Sequence, residues 1–193
     1  IFLDSDAVPG SDWLRTLIEN DDGETVLIGA ARDYDGGRLQ SGPRRATFIG
    51  KSVRCHPSKA NTGASCNLAV PKSCFERIGG FDEELPYYFE DSDLCIRARK
   101  AGYKAKYLLG AEVRHKGSER KSGHGIWMQE CNSTYAMLKA YSGRPLHILA
   151  FTIANSTWAV LRVIRDALRG RIGDATELLK GNIAGNRRYL ARH

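Results

Sequence analysis

The 193-residue sequence contains few of the residues that build disulfide frameworks or zinc clusters. Its five cysteines are an odd number, and no two of them have the C-x-x-C spacing. A disulfide scaffold or a structural zinc site is therefore not expected, and a reducing cytoplasm is the simpler environment for the chain. A secretory signal pattern is also missing.

Acidic residues are in deficit, with 22 Asp and Glu against 29 Lys and Arg and a net charge of +7. This balance favours an anionic partner such as phosphate groups, nucleic acid or an anionic membrane surface, without choosing among them. The hydrophobic share of 42% is ordinary, so one globular domain with a proper core is expected.

An initiator methionine is missing as well, and the chain opens on three apolar residues that lead into Asp4, Ser5 and Asp6. Residues 1–3 predict the end of a buried strand with two carboxylates at its tip. We therefore expect the chain to be a piece of a longer protein, cut inside a domain.

What the sequence does contain is an alternation of strand and helix patterns up to about residue 115, which is typical of an α/β domain. Ser11 is expected to cap the first helix, and the polar, glycine-rich stretch 33–45 is expected to be a loop. The predicted strands cover 25–32, 66–70 and 104–115. Two later helices are predicted, one that starts near residues 71–72 and ends at Gly79–Gly80, and one over 89–103.

Beyond the polar loop at 116–125 the pattern changes to helices, predicted over 126–142 and 146–169. Residues 146–164 are mostly apolar but include His147 and Arg162. A membrane span usually needs about 20 cleaner apolar residues. This helix is therefore expected to pack on the domain or to lie in a membrane interface.

Paired carboxylates and one histidine are the first candidates for chemistry. Asp4 and Asp6 could be ordinary loop residues, which is the commoner case, but strand ends in α/β sheets gather ligands, and carboxylates suit Mg²⁺ or Mn²⁺. His115 ends a predicted strand in the same way. A lone histidine there is more often structural, although imidazole also binds Mn²⁺.

A second acidic group, Glu90, Asp91 and Asp93, stands at the predicted start of a helix, where negative charge suits the helix dipole. Capping alone does not explain the aromatic residues 87–89 just before it, which would bury the helix start. Burial raises the pKa of a carboxyl group and makes it a better general base, so Asp91 is a candidate for proton transfer.

In four segments the sequence resembles the second half of family 2 glycosyltransferases, in particular the non-processive, rhamnosyltransferase-like members: FLDSDAVP, NTGASCNLAVPKSCFERIGGFDEEL, YYFEDSDLCIRARKAGYK and AEVRHKGSERKS. The resemblance implies an α/β fold, with part of a GT-A domain over 1–122 and a helical extension over 123–193. It also implies that the N-terminal nucleotide-binding half is absent and that this chain alone is inactive. The Q-x-x-R-W-type motif of processive members has no match here, which implies transfer of one sugar or a few.

The resemblance assigns a role to each first candidate. Asp6 and His115 would bind Mn²⁺ or Mg²⁺, and Asp4 would reach the ribose or a metal-bound water. Asp91 would be the general base that takes the proton of an acceptor hydroxyl in one inverting displacement.

Other residues would bind the donor or support the site. Gly63 would let the backbone approach the donor sugar. Asn67, Glu90 and Asp93 would support the site or the acceptor. A basic loop would close over the diphosphate, although a solvated charged loop is an equal alternative, and its cations are Lys116, Arg120 and Lys121.

The implied function is inverting transfer of a sugar from a UDP-, dTDP- or GDP-linked donor to a saccharide or lipid-linked acceptor hydroxyl. This reaction would serve bacterial cell-surface polysaccharide or glycolipid synthesis. The protein would be cytoplasmic, with peripheral contact at the inner face of the plasma membrane and no nucleic-acid partner.

Two other functions stay open. A basic nucleic-acid-binding module would account for the net charge and for the basic run 97–106, but no zinc-finger, RRM or KH signature accompanies it. A phosphatase with a D-x-D motif would account for Asp4 and Asp6, but it leaves the other matched segments unexplained.

Overall fold

The computed structural model describes residues 1–35, 37–116 and 123–192 and divides into two compact units. The first unit contains Ile1–Ala46, Ser52–Glu84 and residues 90–116. The second contains Thr47–Lys51, Leu85–Phe89 and residues 123–192. The predicted boundary between residues 122 and 123 lies next to residues 117–122, which are not among the described residues, and it stays a prediction.

The first unit is a mixed α/β structure. Its strands are β1 Phe2–Leu3, β2 Ala7–Pro9, β3 Thr25–Arg32, β4 Leu39–Ser41, β5 Arg44–Ala46, β6 Ser52–Arg54, β7 Asn67–Ala69 and β8 Lys104–His115. The main sheet has the order β1-β7-β3-β8-β2, and β4 pairs with the end of β3. β3 and β8 run parallel, whereas the remaining pairs of this sheet are antiparallel. The strands predicted over 25–32 and 104–115 are confirmed, and β7 confirms the one predicted over 66–70.

Helices cover both faces of this sheet, namely α1 Trp13–Glu19 on one face, with α2 Lys72–Arg77 and α3 Glu90–Lys100 on the other. β3 is buried on both sides because side chains alternate along a strand. Val26 and Ile28 pack with Leu94 of α3, whereas Leu27 packs with Trp13 of α1. The two predicted helices are confirmed, and each ends two or three residues before its predicted end.

One buried amide forms hydrogen bonds across the centre of the sheet, where the register between β3 and β8 shifts after Gly29. Asn67 donates from Nδ2 to the carbonyls of Ala30 (2.8 Å) and Ala111 (2.9 Å), and its Oδ1 accepts from Trp13 Nε1 (2.8 Å). A Cβ on Gly29 would lie 2.1 Å from Asn67 Nδ2, so only glycine admits this amide. This shift of register sets the position of the last residues of β8 relative to β3.

Three local expectations are wrong. Ile1 and Leu3 are 62% and 38% exposed rather than buried, because β1 is a two-residue strand at the edge of the sheet. Asp12, not Ser11, occupies the N-cap position of α1. The stretch 33–45 is not only a loop, because β4 and the start of β5 lie within it.

The second unit consists mainly of the helices α4 His124–Ala140, α5 Pro145–Leu168 and α6 Ile172–Leu190. The helices predicted over 126–142 and 146–169 are confirmed to within two residues at each end. Asn155 Nδ2 of α5 donates to Thr134 Oγ1 of α4 (3.2 Å), and the Arg188 guanidinium of α6 lies 4.2 Å from the centre of the Tyr135 ring of α4. These contacts join the helices into one bundle.

A tight turn joins α5 to α6 around Asp166, whose side chain is 2% exposed. Arg162 Nε donates to Asp166 Oδ2 (2.7 Å), Arg165 donates to Oδ1 (3.1 Å from Nη2), and Arg171 also contacts Oδ1. Burial alone would raise the pKa of Asp166, but the hydrogen bonds from Arg162 and Arg165 outweigh it and lower this pKa to about 2.

The helix α5 has one buried and one exposed side. Phe151, Asn155 and Ala159 are buried, which is the spacing of a single helical face. By length and composition α5 could cross a membrane, with a mean hydropathy of 1.3 over its most apolar 18 residues, but only 17% of those residues are buried. The exposed large apolar residues of α5 are Leu146, Leu149, Ile153, Val160, Leu161, Ile164 and Leu168.

Candidate active site

The turn between β1 and β2 places the first two carboxylates. The Ala7 amide donates to the Asp4 carbonyl (2.9 Å), so the chain reverses over residues 4–7. β2 then pairs antiparallel with the end of β8, and Ala7 lies opposite His115 in this register. Asp6 is therefore brought beside a histidine that lies 109 positions away in the sequence.

Of the three predicted residues of this cluster, His115 lies within contact distance of both carboxylates. His115 Nε2 is 3.3 Å from Asp4 Oδ2 and 3.2 Å from Asp6 Oδ1. The Asp4 and Asp6 side chains are 45% and 46% exposed, whereas that of His115 is 16% exposed. We call this set, Asp4, Asp6 and His115, the DDH cluster.

The donor chemistry of the DDH cluster fits a hard divalent cation. Carboxylate oxygens and one imidazole nitrogen are suitable ligands for Mn²⁺ or Mg²⁺. Adjacent ligands of an octahedral ion at about 2.0–2.1 Å lie about 3 Å apart, which is close to the spacing of the DDH atoms. Two carboxylates that share one imidazole also leave an excess of negative charge for a cation to neutralise.

Cys66 is a neighbour of the cluster, although the sequence offered no reason to select it. Its sulfur, an Asp4 oxygen and a His115 ring nitrogen all lie within 4.8 Å of one another. Burial, together with the charges of Asp4, Asp91 and Asp6, raises the pKa of the Cys66 thiol to about 12. The soft sulfur of Cys66 is also poorly matched to Mn²⁺ or Mg²⁺, so the hard donors of the DDH cluster are the candidate ligands.

The charge of Asp91 also contributes to the raised pKa of the Cys66 thiol. Asp91 lies in the first turn of α3, where its half-buried side chain accepts from the Ser92 amide (2.5 Å). The structure thus brings Asp4 and Asp6 into contact with His115 and places Asp91 in the first turn of α3.

The residues just before α3 adopt an unusual backbone. Tyr88 and Phe89 have φ angles of 61° and 81°, which non-glycine residues rarely adopt. Asn132 Nδ2 donates to the carbonyls of Tyr87 (2.6 Å) and Tyr88 (3.1 Å), which fixes this conformation. Of the aromatic residues expected to bury the start of α3, Phe89 is 3% exposed and Tyr87 is 69% exposed.

The other acidic residues of α3 differ in their surroundings. Asp93 is 5% exposed and accepts from Arg97 Nε (2.6 Å), while Arg97 also donates to the carbonyls of Ile78 and Gly80 (2.8 Å each). Asp93 therefore orders the turn after α2. Glu90 is the half-buried first residue of α3.

Asn67 and Gly63 both lie against the core. The amide of Asn67 makes the three sheet contacts described above, and the residue is 2% exposed. A Cβ on Gly63 would lie 2.4 Å from Ile28 Cγ2, so a packing need accounts for this glycine. Neither observation tests the predicted contact with donor or acceptor.

Of the predicted basic loop, Lys116 is exposed and directly follows His115. Arg120 and Lys121 lie outside the described residues. Closure of this loop over a diphosphate stays a prediction.

Residues of the stretch 33–45 complete the surroundings of the cluster, and sequence reasoning missed them. Gln40 of β4 contacts the His115 ring, and the Tyr34 hydroxyl donates to the Asp6 carbonyl (2.6 Å). Asp33 contacts Gln40. Their only signal was that a polar segment follows a strand whose end belongs to the same edge of the sheet.

No protein-family model matches the chain. The chain is 45% identical over 68 residues to N-acetylglucosaminyl-diphospho-decaprenol L-rhamnosyltransferase of Mycobacterium tuberculosis (strain ATCC 25618 / H37Rv), which covers 34% of this chain and 22% of that protein. It is 31% identical over 129 residues to the pre-mycofactocin glycosyltransferase of the same strain, which covers 59% of this chain and 26% of that protein.

The chain thus spans about a quarter of the length of these two relatives. Both are named as glycosyltransferases, and both matches are partial. Together they support, in general terms, a relationship of this chain to the glycosyltransferases.

Proposed function

We propose that this chain carries the metal-binding and catalytic residues of an enzyme that transfers a sugar from a nucleotide-diphosphate donor to an acceptor hydroxyl, with inversion. The observation that carries the proposal is the contact of His115 with both Asp4 and Asp6, and the charge of Asp91 acts on the neighbouring Cys66 thiol. The similarity to two named glycosyltransferases supports the same class of reaction.

In this proposal the DDH cluster holds Mn²⁺ or Mg²⁺, with Asp6 and His115 as direct ligands and Asp4 as a ligand or a contact to ribose. The bound ion supplies positive charge for the diphosphate that leaves. The half-exposed carboxylates leave room for diphosphate oxygens to complete the coordination, as Mn²⁺ and Mg²⁺ sites on nucleotides require.

Asp91 acts as the general base. A carboxylate near the departing diphosphate, but outside the DDH contacts, is suited to take the proton of an acceptor hydroxyl as that oxygen attacks the anomeric carbon. The bond between the acceptor oxygen and the anomeric carbon forms as the bond between that carbon and the diphosphate oxygen breaks. This single displacement inverts the configuration of the anomeric carbon. Glu90 and Asp93 support the start of α3.

The architecture proposed for the first unit is the second part of a GT-A domain. Helices on both faces of a mixed sheet are compatible with an α/β glycosyltransferase fold. Recognition of the nucleotide base and ribose falls, in this proposal, mainly to residues outside this sequence. The donor is a UDP-, dTDP- or GDP-sugar, and the acceptor is a saccharide or a lipid-linked saccharide of the bacterial cell surface.

The exposed apolar face of α5 supports a peripheral contact with the cytoplasmic face of the plasma membrane. Seven large apolar side chains share this face, which is more than single scattered surface residues would provide. Arginines at both ends of α5, namely Arg144, Arg169 and Arg171, would favour anionic headgroups. The occupant proposed for this face is thus an anionic bilayer.

Co-sedimentation with vesicles tests the membrane contact. The protein should bind vesicles that contain phosphatidylglycerol, and Leu149→Glu with Ile153→Glu should reduce binding strongly. Thr176→Glu, on the exposed side of α6, is the control and should bind as the wild type does. Equal binding by all three proteins, or binding by none, would refute this contact.

The substitution Asp91→Asn tests the catalytic proposal. Made in the longer, full-length enzyme of this proposal, it removes the base but keeps the size of the side chain, so transfer should fall by at least about 100-fold, the low end for general base catalysis. Metal-dependent binding of the nucleotide sugar should stay close to that of the wild type. Asp82→Asn, in the turn before α3, is a matched control that should retain activity. Near-normal turnover in Asp91→Asn would exclude Asp91 as the base.

A further inference from the structure

The strand β4 brings a neutral amide against the proposed metal-binding histidine. β4 pairs antiparallel with the end of β3, and the end of β3 runs parallel to the end of β8. Gln40 of β4 consequently contacts His115 twice. Gln40 Nε2 donates to the His115 carbonyl (3.0 Å), and Gln40 Oε1 lies 3.1 Å from His115 Nδ1.

The orientation of this amide is fixed by its other partners. Gln40 Nε2 faces two acceptors, the His115 carbonyl and Asp33 Oδ1. A flipped amide would place its oxygen against both of these oxygens and would lose both hydrogen bonds. The atom that faces the imidazole ring is therefore the carbonyl oxygen Oε1, which can only accept a hydrogen bond.

This orientation decides which ring nitrogen of a neutral His115 carries the proton. Because Oε1 accepts, Nδ1 must donate, and the lone pair of a neutral ring then lies on Nε2. Nε2 is the atom that faces Asp4 Oδ2 and Asp6 Oδ1. A lone pair between two carboxylates is repelled by them unless a positive species lies there, and a divalent cation meets this requirement.

We propose that Gln40 is a positioning residue that holds His115 in the Nδ1-protonated tautomer and so presents Nε2 to a divalent metal ion. The inference rests on the proposed metal site of the DDH cluster and adds to it a residue outside the matched segments. Hydrogen-bond partners of metal-bound histidines fix the tautomer and the ring orientation in this way, and their loss typically costs 10–100-fold in metal affinity.

Metal binding by variants of Gln40 tests this role without any activity assay. Gln40→Met keeps the length of the side chain but removes the acceptor, so Mn²⁺ affinity, measured from free Mn²⁺ by electron paramagnetic resonance, should fall by about 10–100-fold. Gln129→Met, the same substitution on α4, is the matched control and should bind Mn²⁺ as the wild type does. An unchanged affinity in Gln40→Met would overturn the inference.

The tautomer itself is a readout that a merely structural role would not produce. In the Mg²⁺-loaded wild type, ¹⁵N NMR should show the His115 ring proton on Nδ1, and a proton on Nε2 would overturn the inference even if Gln40→Met does not fold. The two proposals fail differently. A wild type that binds neither Mn²⁺ nor Mg²⁺ refutes the metal site and the role of Gln40 together, whereas metal binding that ignores Gln40 refutes only the latter.

Discussion

Two clusters of charged side chains in this chain differ in their ratio of carboxylates to basic groups. At the α5–α6 turn, one buried carboxylate, Asp166, contacts the guanidinium groups of Arg162, Arg165 and Arg171. In the DDH cluster, two half-exposed carboxylates share a single imidazole. In the first cluster the buried carboxylate is neutralised by more than enough positive charge, whereas the second has excess negative charge on carboxylates that reach solvent. This difference separates a structural ion network from a site that can bind a cation.

Removal of the buried carboxylate should give the largest change in stability. Asp166→Ala leaves three neighbouring guanidinium groups without their common partner, so the free energy of unfolding should fall by about 3 kcal/mol, the low end for a broken buried ion pair. Urea denaturation of the wild type and of Asp166→Ala measures this change in the free energy of unfolding.

The exposed pair on α6, Glu177 and Lys180 at 2.9 Å, provides the control. Glu177→Ala should change the free energy of unfolding by less than about 0.5 kcal/mol, because exposed ion pairs contribute little. Equal effects of Asp166→Ala and Glu177→Ala would remove the distinction between a closed and an exposed network.

The pKa of Asp166 predicts a dependence of stability on acid. Its folded value of about 2 lies below the ordinary value of 3.8, so the carboxylate stabilises the fold above pH 3.8, and this contribution is lost as the pH falls from 3.8 towards 2. Urea denaturation at several pH values should show a smaller loss over this interval in Asp166→Ala than in the wild type. A loss of equal size in both proteins would contradict the assigned pKa.

The stability of the DDH cluster should respond only weakly to a loss of charge when metal is absent. Asp6→Asn relieves repulsion between two carboxylates and gives up only one half-exposed contact, so the free energy of unfolding in a chelating buffer should change by less than about 1 kcal/mol. A loss as large as that of Asp166→Ala would mean that the DDH cluster is also a structural network.

Much of the fold was predictable because the spacing of apolar residues and the position of turn-forming residues are local signals. β3 and β8 match their predicted bounds of 25–32 and 104–115, and α3 begins within one residue of its prediction. The errors fell where tertiary pairing decides the structure. β4 has too little apolar pattern to stand out, and it forms because the end of β3 offers an unpaired edge.

The candidate site was predictable only as far as its motif residues. Asp4, Asp6, Asp91 and His115 were selected from type and position, and the structure brings Asp4 and Asp6 into contact with His115. Gln40 could not be selected, because its role depends on a register between strands that the sequence does not display. The positive φ angles of Tyr88 and Phe89 could not be predicted either, because neither residue is a glycine. Asn132, more than 40 residues further along the chain, holds this backbone by hydrogen bonds.

The most direct test of the central claim is a Mn²⁺ titration of the wild type and of His115→Ala, followed by electron paramagnetic resonance. The account predicts saturable binding of one ion by the wild type, and an affinity in His115→Ala that is lower by at least about 100-fold, the upper end for loss of an outer-shell partner. Equal affinity in the two proteins, or no binding by the wild type, would contradict the assignment of the DDH cluster as a metal site.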